Sequence, residues 1–242
     1  MTASLTRLQS FYGALDTHSL LRVMIQEEFK DKITLVSSFG ADSALLLSLV
    51  AEVDPNLPVL FLETRKHFKE TLDYVEELRD LFGLTDLRML TPDEKLVNNI
   101  DRSGELWKTQ PNRCCWLRKV EPLEREMKKS GFEAIITGRK GYQNKDREEM
   151  DSIELFDDGV YRINPLVAWN KEQIREEFAK RELPAHSLVA KGYLSIGCEP
   201  CTLPVKPGED ERSGRWAHTA GLAGAQKTEC GIHIQEVPNW DL

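Results

Sequence analysis

The sequence predicts an α/β fold: a doubly wound, mainly parallel sheet with helices on both faces, followed by a mobile C-terminal tail. Three observations carry that expectation. Short β-prone runs alternate with longer segments of helical periodicity. The first run leads into a turn of small residues and then a nearly continuous apolar helix. Past Thr202 the periodicity stops, and Gly, Ala, Pro and charged residues take over.

The elements follow in order. Leu20, Val23, Met24 and Ile25 suit an amphipathic helix over roughly Ser19–Phe29. Ile33–Val36 reads as the first strand, Ser37–Ser43 as a loop and Ala44–Val50 as a buried helix. Val59–Leu62 is a second buried strand. Phe68, Leu72, Val75, Leu78 and Phe82 place a helix over His67–Phe82, stopped by Gly83. Leu87–Leu90 is a third strand, and Pro92 opens a short helix. A further helix is expected from Cys114 to Lys129, ending at Gly131, before a strand at Ala134–Thr137. Asp158–Gly159 marks a hairpin turn. Asn170 caps a helix to Lys180, with Gln173 completing a capping box.

A chain of 242 residues can bury about 70–75% of its unfolded surface without disulfide support. No apolar run approaches the roughly 18 residues needed to span a bilayer. Met1–Leu20 lacks the charged start and apolar stretch of a secretory signal. The expected location is therefore the cytoplasm, with no membrane partner. A net charge of −8 argues against a nucleic-acid footprint, which needs a basic surface. It leaves room for a small anion, because local clusters override the mean field. Such clusters are Arg113, Arg118 and Lys119; Arg139 and Lys140; Lys145 and Arg147; and Arg212 and Arg215. A homo-oligomer is compatible with the sequence.

Ser38, Phe39, Gly40, Ala41, Asp42 and Ser43 form a small-residue turn at the carboxyl end of the first strand. Backbone N–H groups at a helix N-terminus there favour an anion. The turn is not a P-loop, since the Gly-Lys-Ser/Thr ending is absent. A plain helix cap by Ser38 or Asp42 is the alternative. The turn resembles the Ser-Gly-Gly-x-Asp-Ser loop of the adenine nucleotide α-hydrolases, with Phe39 in place of Gly.

Five cysteines are present: Cys114 and Cys115 adjacent, Cys198 and Cys201 as C-x-x-C, and Cys230 alone. In a cytosolic chain this set points to metal or catalysis rather than disulfides. Four thiolates can hold zinc or an iron–sulfur cluster. The adjacent pair suits the separate iron corners of a [4Fe–4S] cubane better than a compact zinc tetrahedron.

Several segments, taken together, resemble the assimilatory adenylyl-sulfate reductases. They are Cys114–Cys115–x–x–Arg118–Lys119–Val120–x–Pro122–Leu123, Thr137–Gly138–Arg139, Gly192–Tyr193–x–Ser195–Ile196–Gly197–Cys198–x–x–Cys201–Thr202, Arg212–Ser213–Gly214–Arg215–Trp216 and Lys227–Thr228–Glu229–Cys230–Gly231–Ile232–His233. The resemblance spans about Ser37 to His233. It implies an adenine nucleotide α-hydrolase-like fold, with residues 1–205 as a nucleotide-binding reductase domain and 206–242 as a catalytic tail. It also implies a [4Fe–4S] cluster on Cys114, Cys115, Cys198 and Cys201, and Cys230 as the nucleophile. The cluster cysteines point to adenosine 5'-phosphosulfate rather than its 3'-phosphorylated relative. Many members carry Leu-Asp-Thr-Gly where this chain has Leu62–Glu63–Thr64–Arg65.

The implied reaction is thioredoxin-dependent reduction to sulfite and AMP through an enzyme S-sulfocysteine. His233 and Lys227 are placed in sequence to lower the pKa of Cys230. Arg212 and Arg215 suit a clamp on sulfate or phosphate, and Lys119 and Arg139 suit the sulfonyl oxygens. Arg147 joins this substrate-binding set. With four cysteines on the cluster none is left to resolve the intermediate, so thioredoxin or glutaredoxin is the expected reductant. The cluster is expected to act electrostatically and structurally. The rival readings are a 3'-phosphoadenylyl-sulfate reductase, an ATP pyrophosphatase-type enzyme and a non-catalytic metal or cluster protein.

Overall fold

In the computed structural model, which describes residues 4–143, 145–219, 227 and 229–233, the β-prone runs join into one six-stranded sheet. The chain enters through α1 (Leu5–Tyr12), capped by Ser4, and α2 (Thr17–Val23), capped by Asp16. A π turn, Met24–Glu28, extends α2 to Phe29. Then come β1 (Ile33–Ser37), α3 (Ser43–Val53), β2 (Val59–Leu62), α4 (Lys69–Phe82) and β3 (Leu87–Leu90). Next are α5 (Glu94–Ile100), α6 (Leu106–Thr109), α7 (Pro111–Cys115), a second π turn at Trp116–Val120, α8 (Glu121–Ser130) and β4 (Ala134–Ile136). The last are α9 (Lys145–Glu148), β5 (Ile153–Leu155), β6 (Tyr161–Ile163) and α10 (Lys171–Lys180).

The strand order is β3-β2-β1-β4-β6-β5, with only β5 antiparallel to its neighbour. Successive side chains on a strand point to opposite faces, and both faces are covered. Ile33, Leu35, Val59, Phe61, Ala134 and Ile136 share the main core with Leu8, Leu20, Leu47, Val75 and Ile174 from the helices. The alternate residues Leu60, Leu62 and Ile135 pack with Leu123 and Met127 of α8. The expected two-sided sheet therefore forms, with most of its helices on one face. From β1 the order runs outward to β2 and β3, then resumes on the other side with β4. That reversal opens a crevice at the carboxyl ends of β1 and β4, where such sheets bind ligands.

Several boundaries differ from the sequence reading. α1 lies upstream of the first expected helix. The helix expected over Cys114–Lys129 starts at Pro111, whose missing N–H costs nothing in the first turn. It is then interrupted by the π turn before α8. α4 begins at Lys69 because His67 forms an antiparallel bridge with Cys198. Gly83 and Gly131 end α4 and α8 in the left-handed conformation, at φ 60° and 67°. The expected hairpin joins β5 to β6, with Gly159 at φ 76°, and the Asn170–Gln173 capping box is complete. Part of the expected tail is folded into the molecule: Thr202 bridges Arg215, and Trp216 is buried. Residues 220–226, 228 and 234–242 of that tail lie outside the described residues. No described helix is long and apolar enough to cross a membrane.

Candidate active site

A cavity of about 190 Å³ fills the crevice between the carboxyl ends of β1 and β4. The loop after β1 forms its floor. Gly40 N–H donates to Ser43 Oγ at 2.8 Å, and Phe39 N–H to Ser37 Oγ at 3.2 Å. Asp42 makes no side-chain cap on α3; its carboxylate pairs with Lys140 Nζ at 3.0 Å. The plain-cap alternative therefore does not describe this turn. Ser38, Gly40, Ala41, Asp42 and Ser43 all line the cavity. Phe39 does not: its side chain is fully buried in the core, edge-on to Phe61. Its expected substrate contact is thus not one its ring can make.

Six cationic side chains, Lys119, Arg139, Lys140, Arg147, Arg212 and Arg215, line the same cavity against two carboxylates, Asp42 and Glu229. Burial and the neighbouring Arg147 push Arg212 down to about 10, although Glu229 opposes this. Burial likewise lowers Arg139, against the pull of Glu154. Buried cations that have lost hydration are better stabilised by an added anion. Arg139 is held by Glu154 at 2.7 Å and Asn164 at 3.1 Å. Arg215 stacks on Trp216 at 4.4 Å and donates to the Ile196 carbonyl at 3.3 Å.

Cys230 and His233 line the cavity from the tail. The Cys230 thiol lies well below its usual range. A hydrogen bond from Cys115 contributes most, followed by Lys119, the Ile232 N–H and Lys227, against the cost of burial. Burial disfavours the Lys119 charge, but Cys198, Cys230 and Cys115 outweigh it and raise the pKa. His233 behaves contrary to expectation. Burial, together with Arg139, Arg147, Arg162 and Arg212, drives its pKa far below the ordinary value. It is neutral and supplies no positive charge to Cys230; Lys119 and Lys227 do so.

Cys114, Cys115, Cys198 and Cys201 line one small adjoining recess with Lys66, Trp107, Arg118, Lys119, Arg215 and Trp216. Arg118 braces it, donating to Asp101 at 2.6 Å and to the Thr64 carbonyl at 3.0 Å. Thr64 Oγ1 meets Cys198 Sγ at 3.3 Å. Burial pushes Cys114 up to about 11 and Cys201 up to about 12. No three described His, Cys, Asp or Glu side chains are arranged to hold a metal ion. The donors are nonetheless four thiols in a recess whose described lining contains no carboxylate, a set that either zinc or an iron–sulfur cluster can use. Lys119 and Arg215 border both the recess and the cavity.

The sequence reading had Lys140 only as half of a basic pair, and it missed His67, Gln143 and Glu229. Only Lys140 carried a usable signal, its place beside Arg139 after a strand and glycine. His67 reaches the site through its bridge to Cys198, and Glu229 through its ion pair with Arg147. Neither is visible from spacing.

The phosphoadenosine phosphosulfate reductase domain model matches residues 32–204. An adenosine 5'-phosphosulfate reductase of Mesorhizobium japonicum is 45% identical, the match covering 97% of this chain and 89% of that protein. Adenosine 5'-phosphosulfate reductase 2 of Bacillus subtilis is 37% identical, over 85% and 84% of the two chains. Among solved structures, the phosphoadenylyl-sulfate reductase of Candida auris, a phosphate complex, aligns with TM-score 0.71 and 25% identity, covering 84% of this chain and 99% of that one. The FMN adenylyltransferase of Candida glabrata, at TM-score 0.56 and 18% identity over 93% and 82% of the chains, shares the fold. The chain belongs to the phosphoadenosine phosphosulfate reductase family.

Proposed function

We propose that this protein reduces adenosine 5'-phosphosulfate to sulfite and AMP, with Cys230 as nucleophile and thioredoxin or glutaredoxin as reductant. The observation that carries the reading is the meeting of the Cys230 thiol with a cavity lined by six cations, at the switch point of the parallel sheet. The names of the relatives supply the substrate. Residues 1–205 act as the nucleotide-binding domain and 206–242 as the catalytic tail.

The chemistry follows from the side chains. The β1 loop receives the nucleotide's anionic end. Cys230 thiolate attacks the sulfuryl sulfur, forming an S–S bond as the sulfur–oxygen bond to AMP breaks. Lys119, Arg139, Arg212 and Arg215 hold the charge on the departing and transferred oxygens. A reductant thiolate then attacks Cys230 Sγ, expelling sulfite with the S–S bonding pair. The second reductant thiol resolves the mixed disulfide, so two electrons pass from the dithiol to sulfur and Cys230 is regenerated.

Cys114, Cys115, Cys198 and Cys201 would hold a [4Fe–4S] cluster. Bound there, it supplies a fixed charge beside Lys119. With Cys115 committed to iron, its hydrogen bond to Cys230 would be lost, leaving Lys119, the Ile232 N–H and Lys227 to oppose the cost of burial.

The test is product analysis on the anaerobically purified protein. Adenosine 5'-phosphosulfate with reduced thioredoxin should give sulfite and AMP in equal amounts, ATP should give neither AMP nor pyrophosphate, and the 3'-phosphorylated substrate should be slower. Cys230→Ser should lose sulfite release and keep its iron. ATP cleavage, or sulfite release by Cys230→Ser, would overturn the reading.

A further inference from the structure

The residue before Cys230 is held by a buried ion pair. Arg147 grips the Glu229 carboxylate with two parallel bonds, Nε to Oε1 at 2.6 Å and Nη2 to Oε2 at 2.8 Å. Its remaining nitrogen, Nη1, donates to Gln143. All three guanidinium nitrogens of Arg147 are thus engaged by the protein. Both partners are buried, Arg147 at 7% and Glu229 at 8% exposure. Arg212 stands 3.7 Å from the same carboxylate. The pair joins segments 82 residues apart in sequence, and both residues line the cavity that Cys230 also lines.

Two-point guanidinium–carboxylate bonding fixes direction as well as distance. A buried carboxylate is stable only while so paired, so Glu229 leaves Arg147 only at high cost. The peptide it anchors carries Cys230. On the other side, Gly231 sits so close to Val120 that a Cβ there would lie 2.9 Å from Val120 Cγ2. Cys230 is therefore held between an ion pair and a close packing contact.

We propose that Glu229 is a positioning residue: its ion pair with Arg147 latches the tail so that the Cys230 thiol faces the nucleotide cavity. The inference rests on the reading of Cys230 as nucleophile and deepens it. Glu229 acts through Cys230 and touches no reacting atom.

The latch is tested on the full-length, cluster-loaded protein with Glu229→Gln, Glu229→Asp, Arg147→Met and the Gln/Met double variant. Alkylation of Cys230 by iodoacetamide is followed by peptide mass spectrometry at about pH 9.5, where a released thiol is also ionised. Glu229→Gln should raise the rate at least about tenfold. That is equivalent to about 1.4 kcal/mol, less than a buried charge-assisted pair normally contributes. It should lower kcat by a similar factor without weakening AMP binding. Glu229→Asp, which keeps the charge, should recover most of both effects. The double variant should be no worse than the poorer single one, as expected of two residues acting together.

Unchanged alkylation in Glu229→Gln, equal impairment by Asp and Gln, or additive losses would overturn the proposal. The alkylation arm needs no turnover. Wild-type protein that makes no sulfite, yet is unlatched by Glu229→Gln, would defeat the functional reading and leave the latch standing.

Discussion

Phe39 and Arg65 both adopt left-handed backbone, at φ 47° and 59°, where the resembling families carry glycine. The conformation costs a non-glycine residue roughly 1–2 kcal/mol, and the two residues offset it differently. The Phe39 ring is fully buried against Phe61, whereas Arg65 is exposed and pairs with Glu94 and its own turn. Phe39→Gly should therefore destabilise by about 2–4 kcal/mol, the loss of a core ring outweighing the relieved strain. Arg65→Gly should stay within about 1 kcal/mol of wild type, since an exposed ion pair contributes little. Urea denaturation distinguishes the two, and equal effects would contradict this account. At this scale the cysteines and most of the basic residues were legible, because their chemistry belongs to the side chain. The neutrality of His233 was not, because it depends on four arginines brought close by folding. Glu229 was legible only as part of the Lys227–His233 motif, because its ion pair with Arg147 likewise depends on folding.

At the scale of elements, two glycines shape the arginine end of the cavity. A Cβ on Gly197 would lie 2.4 Å from Arg215 Nη2, the mobile end of a side chain. A Cβ on Gly214 would lie 2.1 Å from the Leu203 carbonyl oxygen, which is backbone. Gly197→Ala should move Arg215 aside and weaken AMP binding with little change in melting temperature. Gly214→Ala should do both, costing about 1–3 kcal/mol of stability because the backbone must shift. AMP titration and thermal melts of both variants provide the check; a Gly197→Ala protein with intact AMP affinity would count against Arg215 as a ligand. Periodicity identified α4, an almost continuous apolar run α3, and the Asn170–Gln173 capping box α10. The π turn at Trp116–Val120 was hidden, as its extra residue leaves no compositional mark.

Across the whole molecule, the −8 charge of the chain and the cationic cavity are compatible because the sheet's reversal gathers cations from distant segments. Alternating strands and helices revealed the sheet but not the distribution of helices between its faces, which depends on long-range crossovers. Stability couples to pH through a group remote from the cavity. His186 is fully buried and accepts the Leu188 N–H on Nδ1 at 3.2 Å, with Thr71 3.1 Å from Nε2. Burial lowers its pKa, with Glu70 opposing. Its contribution is full above the ordinary value near 6.5. It declines as pH falls below that value, since the unfolded chain takes the proton first. The urea midpoint should therefore drop less between about pH 7.5 and 5.5 in His186→Asn, which can still accept the Leu188 N–H, than in wild type. Identical drops would remove His186 from the explanation.

The central claim is that Cys230 takes the sulfuryl group itself. Cluster-loaded protein incubated anaerobically with adenosine 5'-phosphosulfate and no reductant, then digested and read by mass spectrometry, tests it most directly. The account predicts one sulfonate on Cys230, one AMP released per adduct, and loss of the adduct as sulfite when reduced thioredoxin is added. Unmodified Cys230 in protein that binds the nucleotide and retains its iron, or a sulfonate on another residue, would contradict it.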